Sequence, residues 1–342
     1  MTDWITLSDR DHLDPQSSAL LDHGLFVLEF QLPVLDPTLL IQMQTDGPSP
    51  RTFSLFFDPE GGLSLLQRDG TTVRRHLLPG PLVQRQGTAR LAFAFDAGAG
   101  AGVGAGAGAG AGIWSMDYTI LGDSHRQSAT GRTPLALHTA DLHALSNATS
   151  GSTRHPAALW FGVTQKSALP DRAPWIGLNT PIDTKRGPVR AGLLKPGDLI
   201  ATLEDGFQPL RALRRRSFPS RGTFAPVVLR SPFFGLNADI LVSSDQLVLI
   251  SGASVEYLYG VEEALISAAS LCDGHVAVKD ERRALTDAVA LDMGAPFAIT
   301  ADGCCLMSAF GSGDALPRRA LLDYEAVPLL TLLGRTALRH VA

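Results

Sequence analysis

Residues 179–209 read NTPIDTKRGPVRAGLLKPGDLIATLEDGFQP, and this stretch decides the fold. Short apolar runs alternate in it with turn residues, first at Lys195-Pro-Gly-Asp198 and again at Glu204-Asp-Gly206. Proline presets the backbone angle of a turn, and glycine adopts the left-handed conformations that tight turns need. The stretch therefore predicts short β-strands joined by tight turns.

The first half of the chain also has the composition of strands. Runs rich in β-branched and aromatic residues recur at regular spacing, and Pro, Gly and Asp separate them. The predicted strands are 25–32, 39–44, 53–57, 71–78, 89–95, 114–121 and 158–163. A single helix is predicted here at 139–147, with Thr139 as its N-cap. We therefore expect an all-β protein, in which an N-terminal β-sandwich precedes a second β fold with a short helical C-terminal tail.

A polar, proline-containing segment, SALPDRAP at 167–174, indicates a domain boundary. The predicted organisation is a sandwich at 1–168, a linker at 169–174, a second β domain at 175–315 and a helical tail at 316–342. Leucines recur at helical spacing in the tail, where Pro328 is expected to break the helix. The Ala-Gly tract at 97–112 is interpreted as a hairpin loop lengthened by repeat expansion, since closure entropy rises slowly with loop length.

The composition limits which classes of binding partner and which cellular compartment we expect for this protein. The 342 residues carry a formal net charge of -5, which argues against nucleic acid as a partner because phosphate binding needs a basic surface. Three cysteines do not make a disulfide framework. The polar N-terminus lacks the apolar region of a secretory signal, and no apolar run has the length of a membrane span. We expect a soluble cytoplasmic protein that binds neither nucleic acid nor membranes and needs no cofactor.

The blocks that follow residue 175 resemble, in order, those of bacterial Hint (Hedgehog/intein) domains. These blocks are NTPIDT at 179–184, GPV at 187–189, LKPGDLIAT at 194–202, GFQP at 206–209, PVVLRS at 226–231, ILVSSDQLVLI at 240–250, EYLYG at 256–260 and EALISAASLCD at 263–273. The first half is similar to lectin-like sandwiches of the laminin-G or concanavalin type, on the hairpin formed by 90–96 and 114–118. The resemblance implies a self-processing ancestry for the second half.

The same resemblance implies that the catalytic residues are degenerate. In the family, a first-position Cys or Ser attacks its own preceding carbonyl, and a His in a Thr-x-x-His block promotes the shift. Aligning Thr180 with the family's Gly-Thr threonine puts Trp175 at the nucleophile. The Thr-x-x-His block falls on 243–246, with Ser243 for the threonine and Gln246 for the histidine. Some relatives shift the histidine by one place, which would put Asp245 there.

Other residues do not restore the chemistry. Ala288 stands where many relatives carry a further histidine, and the only histidine between residues 156 and 339 is His275, in a turn context. The cysteines, Cys272, Cys304 and Cys305, lie inside apolar runs, where cysteine usually behaves as a small buried hydrophobe. They show no CxxC or Cys/His spacing, so we expect no metal site.

Five arginines form one basic cluster, at positions 211, 214, 215, 216 and 221. The favoured interpretation is a solvated strand edge that charge protects against aggregation. A patch for phosphate or for an acidic partner is the alternative.

Three hypotheses about function follow. The first is a non-catalytic Hint fold that serves as a structural or binding module. The second is residual self-cleavage near Trp175 through Thr180 or Ser243. The third is recognition of a glycan or a peptide by the N-terminal sandwich, for which the sequence singles out no residues; a glycan or a protein ligand is the partner that this hypothesis would imply.

Overall fold

The computed structural model describes residues 3–9, 19–98, 112–123, 125–147, 151–169, 174–311 and 313–339, with side chains as far as residue 332. The chain forms two compact units, Met1–Leu169 and Pro170–Ala342. Residues 99–111 of the Ala-Gly tract and 170–173 of the predicted linker lie outside the described residues. The finer domain bounds given above stay predictions.

The first unit consists of thirteen strands and one helix in its described part. They are β1 (Trp4–Leu7), β2 (Leu20–Leu21), β3 (His23–Leu32), β4 (Thr38–Thr45), β5 (Arg51–Asp58), β6 (Gly62–Asp69), β7 (Thr72–Pro79), β8 (Gly87–Asp96), β9 (Ile113–Ile120), β10 (Arg126–Arg132), β11 (Leu137–His138), α1 (Thr139–Ser146), β12 (Ser152–Arg154) and β13 (Ala158–Thr164).

These strands make two larger antiparallel sheets. One has the order β1-β13-β3-β8-β9-β10 and the other β12-β4-β5-β6-β7, while β11 and β2 pair separately. Aromatic side chains join the two sheets: Phe26 of β3 lies 5.0 Å from Phe53 of β5, and Phe30 lies 5.5 Å from Phe57, between ring centroids. Burial alternates along strands such as β5 and β9, whereas β3 is buried along nearly its whole length, and the inward faces of the two sheets form one shared core.

The second unit is again mostly strands. They are β14 (Ile176–Gly177), β15 (Pro181–Thr184), β16 (Gly187–Arg190), β17 (Leu199–Thr202), β18 (Gly206–Pro209), β19 (Ala212–Pro219), β20 (Val227–Leu229), β21 (Ile240–Val242), β22 (Leu247–Ser251), α2 (Ala253–Tyr259), β23 (Glu263–Ser267), β24 (Ala277–Lys279), β25 (Leu285–Asp292), β26 (Ala298–Ala301), β27 (Cys304–Met307) and α3 (Ala326–Arg339). Short 3-10 turns lie at Ala191–Leu193, Gly222–Phe224, Phe233–Gly235, Ala269–Leu271 and Asp323–Glu325.

Two sheets organise this unit. The first has the order β19-β25-β14-β21-β20-β24, and the second runs β16-β15-β17-β26-β27-β22-β23 with β18 paired to β17. The tight turn predicted at 195–198 is present, since the Lys195 amide and the Asp198 carboxylate are 2.9 Å apart. Gly197 and Gly206 have positive φ, of 93° and 69°, as the turn prediction requires. The all-β fold class is confirmed.

Two local predictions about helices are wrong. Thr139 is not the N-cap of α1, because the cap position is His138 and the Thr139 hydroxyl donates to the carbonyl of Ala19 instead. Pro328 does not break the C-terminal helix. It lies in the first turn of α3, where a missing N–H costs nothing because the first amides of a helix have no partner within it. Within the described residues, no helix is long and apolar enough to span a membrane.

Candidate functional site

Trp175 directly precedes β14, the short strand between β21 and β25. Its backbone extends the pairing with β21: the Trp175 amide donates to Ser243 Oγ at 3.0 Å, and the Ser243 amide donates to the Trp175 carbonyl at 2.8 Å. The same strand register brings Ile176 opposite both Val242 and Val289. Both backbone groups of the residue at the predicted nucleophile position, its amide and its carbonyl, are therefore hydrogen-bonded to Ser243.

The indole of Trp175 is buried, with 2% of its surface exposed. It meets Phe218 of β19 edge-on, at 4.7 Å between ring centroids and 63° between planes. Three small residues, Ala288, Ala290 and Ala309, complete the same apolar cluster. Ala288 is the position at which the resemblance implied a lost histidine, so a methyl group now lies against the indole.

Arg214 adds a charged contact to this cluster. Its guanidinium carbon lies 6.0 Å from the centroid of the Trp175 ring, within the range of a cation–π interaction. Arg214 projects from β19, which is the edge strand of its sheet. The interpretation of the arginine cluster as a strand edge therefore agrees with the position of β19, while Arg214 also contacts the indole.

Gln246 is fully buried at the predicted histidine position. Its Nε2 donates to the carbonyls of Met307 at 2.8 Å and Leu247 at 3.0 Å. Its Oε1 has no hydrogen-bond partner among the described residues. An amide does not titrate near neutral pH, so Gln246 holds two carbonyls but does not transfer a proton.

The remaining predicted residues have structural contacts. Thr180 is buried, and its hydroxyl donates to the Leu241 carbonyl over a long 3.4 Å. Asp245 is half-buried in the turn closed by the Gln246 amide and the Ser243 carbonyl at 3.0 Å. The structure thus brings Trp175 and Ser243 into direct contact and places Asp245 and Gln246 in the turn that follows Ser243.

His275 and the cysteines do not supply the missing chemistry. His275 is exposed, and its ring packs edge-on against Phe233 at 5.2 Å rather than in the Trp175 cluster. Burial raises the pKa of the Cys304 thiol to about 12, and burial also raises the pKa values of Cys272 and Cys305. These thiols are protonated at neutral pH and so are weak nucleophiles. The described residues contain no group of His, Cys, Asp and Glu that could hold a metal ion.

The sequence alone does not identify Phe218, Ala290 and Ala309 as members of the site. They come from β19, β25 and the segment after β27, and only the sheet topology brings them to Trp175. No local motif marks them, since each has the appearance of an ordinary core residue.

Comparison with known proteins supports the resemblance of the second unit to Hint domains. Residues 177–311 match the family model of the Hint domain. The match covers most of the all-β second unit. More particularly, the chain contains a Hint domain, and the matched segment begins two residues after Trp175.

Two solved structures are also similar to the chain. A crystal structure of the gp41-1 intein is 10% identical, covers 40% of this chain and 98% of that chain, and has a TM-score of 0.25. The CBM40 domain of the Ruminococcus gnavus IT-sialidase is 13% identical, covers 44% of this chain and 79% of that chain, and has a TM-score of 0.26. Comparison with curated proteins finds no match.

Proposed function

We propose that this Hint domain does not cleave its own chain and that it serves as a structural or binding module. The observation that carries the proposal is the buried Trp175 indole, packed against Phe218 and three alanines at the position aligned with the nucleophile. An indole nitrogen is only a hydrogen-bond donor, so it does not attack a carbonyl. The space that a thiol and a histidine would need is taken up by apolar atoms.

The absence of a proton-transfer group supports the same proposal. The self-processing acyl shift needs a base for the nucleophile and an acid for the departing amide nitrogen. Gln246 supplies neither, and Ala288 has no polar atom in its side chain. His275, the one histidine of the described second unit, packs on Phe233 outside the Trp175 cluster.

Intact mass over time tests this proposal. Freshly purified protein should keep its full mass of 36.3 kDa during long incubation, with or without hydroxylamine or dithiothreitol. Both reagents intercept ester or thioester intermediates and would expose even a slow reaction. Fragments that end at residue 174 and begin at residue 175 would contradict the proposal. An active intein run in parallel shows that the conditions support cleavage.

A Trp175→Cys variant separates the missing nucleophile from the missing base. We expect this variant to stay intact as well, because Gln246 and Ala288 still provide no proton transfer. Circular dichroism checks that it folds. Cleavage of Trp175→Cys would show that the indole alone blocks the reaction, and the part of the proposal that rests on Gln246 would then be wrong.

Residual self-cleavage is the second candidate, and one contact favours it. Ser243 Oγ lies 3.0 Å from the Trp175 nitrogen, which is the amide that an acyl shift would break. Thr180, the other hydroxyl considered, is directed to the Leu241 carbonyl instead. If Ser243 acts, hydroxylamine accelerates cleavage of the wild-type chain and Ser243→Ala abolishes it, whereas Thr180→Ser leaves it unchanged.

A further inference from the structure

The five-stranded sheet of the first unit turns one face to the shared core and leaves the other open. We call the outward-facing positions of β4 to β7 the open face; they are Leu39, Gln42, Gln44, Thr52, Ser54, Phe56, Ser64, Leu66, Arg68, Val73, Arg75 and Leu77. Strand register arranges them in cross-strand rows. Most are exposed or half-buried, and Ser64 is the most buried, at 9% exposed.

One row of the open face is apolar. Leu39 pairs with Phe56, Phe56 with Ser64 and Ser64 with Leu77 across the four strands. The three large side chains are exposed by 38%, 38% and 42% respectively. A neighbouring half-buried leucine, Leu66, lies diagonally from Phe56 and within reach of its ring. The row therefore gives the sheet a largely apolar strip, with one aromatic ring near its centre.

The next two rows are mostly polar. Six of their eight residues supply amides (Gln42, Gln44), hydroxyls (Ser54, Thr52) and guanidinium groups (Arg75, Arg68), and the other two are Leu66 and Val73. Four strands at about 4.8 Å spacing and two rows make an area of roughly 14 by 7 Å. This area presents hydrogen-bond donors and acceptors directly beside the apolar row.

The two arginines of the open face have no carboxylate partner in the described part of the chain. Arg68 Nε donates to the Gly70 carbonyl at 3.0 Å, and Arg75 Nε donates to Ser64 Oγ at 2.7 Å. The arginines are diagonal neighbours on adjacent strands, since Arg68 pairs with Val73 and Arg75 with Leu66. Two like charges at this spacing repel each other unless an anion lies between them.

Within the described residues no carboxylate forms an ion pair with these arginines. The acid that borders the open face is Asp46, which accepts from Gln44 Nε2 at 3.4 Å, at the end of the row that also holds Arg68. Asp58 lies at the opposite end of β5, where it accepts the Glu60 amide at 3.1 Å. Other surface arginines of this unit form ion pairs with carboxylates: Arg85 pairs with Asp123, and Arg126 pairs with Asp117. In the part of the chain that the structure describes, no ion pair therefore neutralises Arg68 or Arg75.

We propose that the open face binds an acidic polysaccharide, a sugar chain that carries carboxylates. Arg68 and Arg75 pair with a carboxylate of the chain, and the Gln42, Gln44, Thr52 and Ser54 side chains bond its hydroxyls. The apolar faces of the sugar rings lie on Phe56, Leu39 and Leu77. The net charge of -5 disfavours nucleic acid as the polyanion. This site is independent of the self-processing chemistry of the second unit.

Calorimetric titration of the full-length protein tests the proposal. A short oligogalacturonate should bind, with a Kd at or below about 1 mM that weakens as salt rises. A neutral galacto-oligosaccharide of equal length should bind at least roughly tenfold more weakly, because it offers no carboxylate to the arginines. Hyaluronate and heparin fragments distinguish isolated carboxylates from sulfates.

Variants locate the site. The double variant Arg68→Gln/Arg75→Gln should lower the affinity about tenfold or more and remove its salt dependence. Phe56→Ala should weaken binding and leave the salt dependence in place. Arg126→Gln, which removes an exposed but acid-paired arginine of β10, is the matched control and should change nothing. Thermal melting checks that each variant folds.

Three results would overturn the proposal. The first is binding of no acidic oligosaccharide at millimolar concentration. The second is equal affinity in wild type and the Arg68→Gln/Arg75→Gln variant. The third is a dimer in sedimentation that Phe56→Ala dissociates, which would assign the open face to a second copy of this chain.

Discussion

The Trp175 amide donates to Ser243 Oγ at 3.0 Å, and the Ser243 amide donates to the Trp175 carbonyl at 2.8 Å. This reciprocal pair holds the residue before β14 against the end of β21. The Trp175 amide belongs to the peptide unit between Pro174 and Trp175, and the Trp175 carbonyl belongs to the next unit. The pair therefore satisfies one hydrogen-bonding group in each of the two peptide units that flank the Trp175 side chain.

Replacing Ser243 by alanine should therefore destabilise the second unit by about 1 kcal/mol, because the half-buried Trp175 amide loses its acceptor. Hydrogen–deuterium exchange of the peptide that contains residues 175–177 should become faster. Ser243→Thr keeps the hydroxyl and is the control. Unchanged exchange in Ser243→Ala would show that the hydroxyl contributes nothing to the fixed position of Trp175.

Gln246→Leu should cost about 1–3 kcal/mol of unfolding free energy, because the Met307 and Leu247 carbonyls lose a buried donor. Gln246→Glu should cost more, since a buried carboxylate would face those same carbonyl oxygens. Urea unfolding of the second unit measures both effects. If Gln246→Leu were as stable as the wild type, the two hydrogen bonds donated by the amide would contribute no net stability. The cost of burying the unpartnered Oε1 would then equal or exceed their gain.

The sequence predicts the two β units well, because strand periodicity and turn residues are local signals. The turn at 195–198 is marked by Pro196, Gly197 and Asp198, and the Asp198 carboxylate closes it on the Lys195 amide. The start of α1 shows the limit of such signals. Thr139 has the features of a cap residue, but a tertiary hydrogen bond to Ala19, more than a hundred residues away, takes its hydroxyl.

The candidate site is only half predictable from the sequence. Ser243 and Trp175 follow from the resemblance by simple alignment. Phe218 and Ala309 do not, because they reach the indole only through the order of strands in the folded sheets. Both side chains are apolar and belong to no functional motif. Their place in the site is therefore visible only from the packing around Trp175.

The stability of the first unit should depend on pH through His76. This side chain lies between the sheets, bonds Gln67 Oε1 at 2.8 Å and meets the Trp114 ring edge-on at 4.9 Å. Burial, with a smaller contribution from Arg74, lowers the pKa of His76 to about 4 from 6.5. The unfolded chain therefore takes up the proton first, and stability falls as the pH drops from about 6.5 to about 4.

That loss should approach about 3 kcal/mol at the lower end of the range. Melting of wild type and of His76→Gln between pH 7 and 4 measures it, since glutamine does not titrate. We expect the difference between the two melting temperatures to shrink as the pH falls. Parallel curves would mean that His76 is not buried as a neutral ring.

The thiols of the second unit should resist alkylation in the folded protein. Cys304 is 1% exposed, and its burial raises the thiol pKa to about 12, so almost no thiolate exists at pH 8. Cys305 is half-buried, and its pKa rises through burial and through the nearby carboxylates of Glu263, Glu204 and Asp183. Those acids disfavour the thiolate, which is the form that an alkylating reagent attacks.

Iodoacetamide at pH 8, followed by intact mass, should leave Cys304 unmodified in native protein and label all three cysteines in guanidinium. Native labelling of Cys305 should be slow, and Glu263→Gln should speed it because one repelling charge is gone. Glu256→Gln, which removes an acid absent from the groups that shift Cys305, serves as the matched control. Rapid native labelling of Cys304 would show that β27 opens readily. The buried core around the site would then be less rigid than the packing of Trp175 implies.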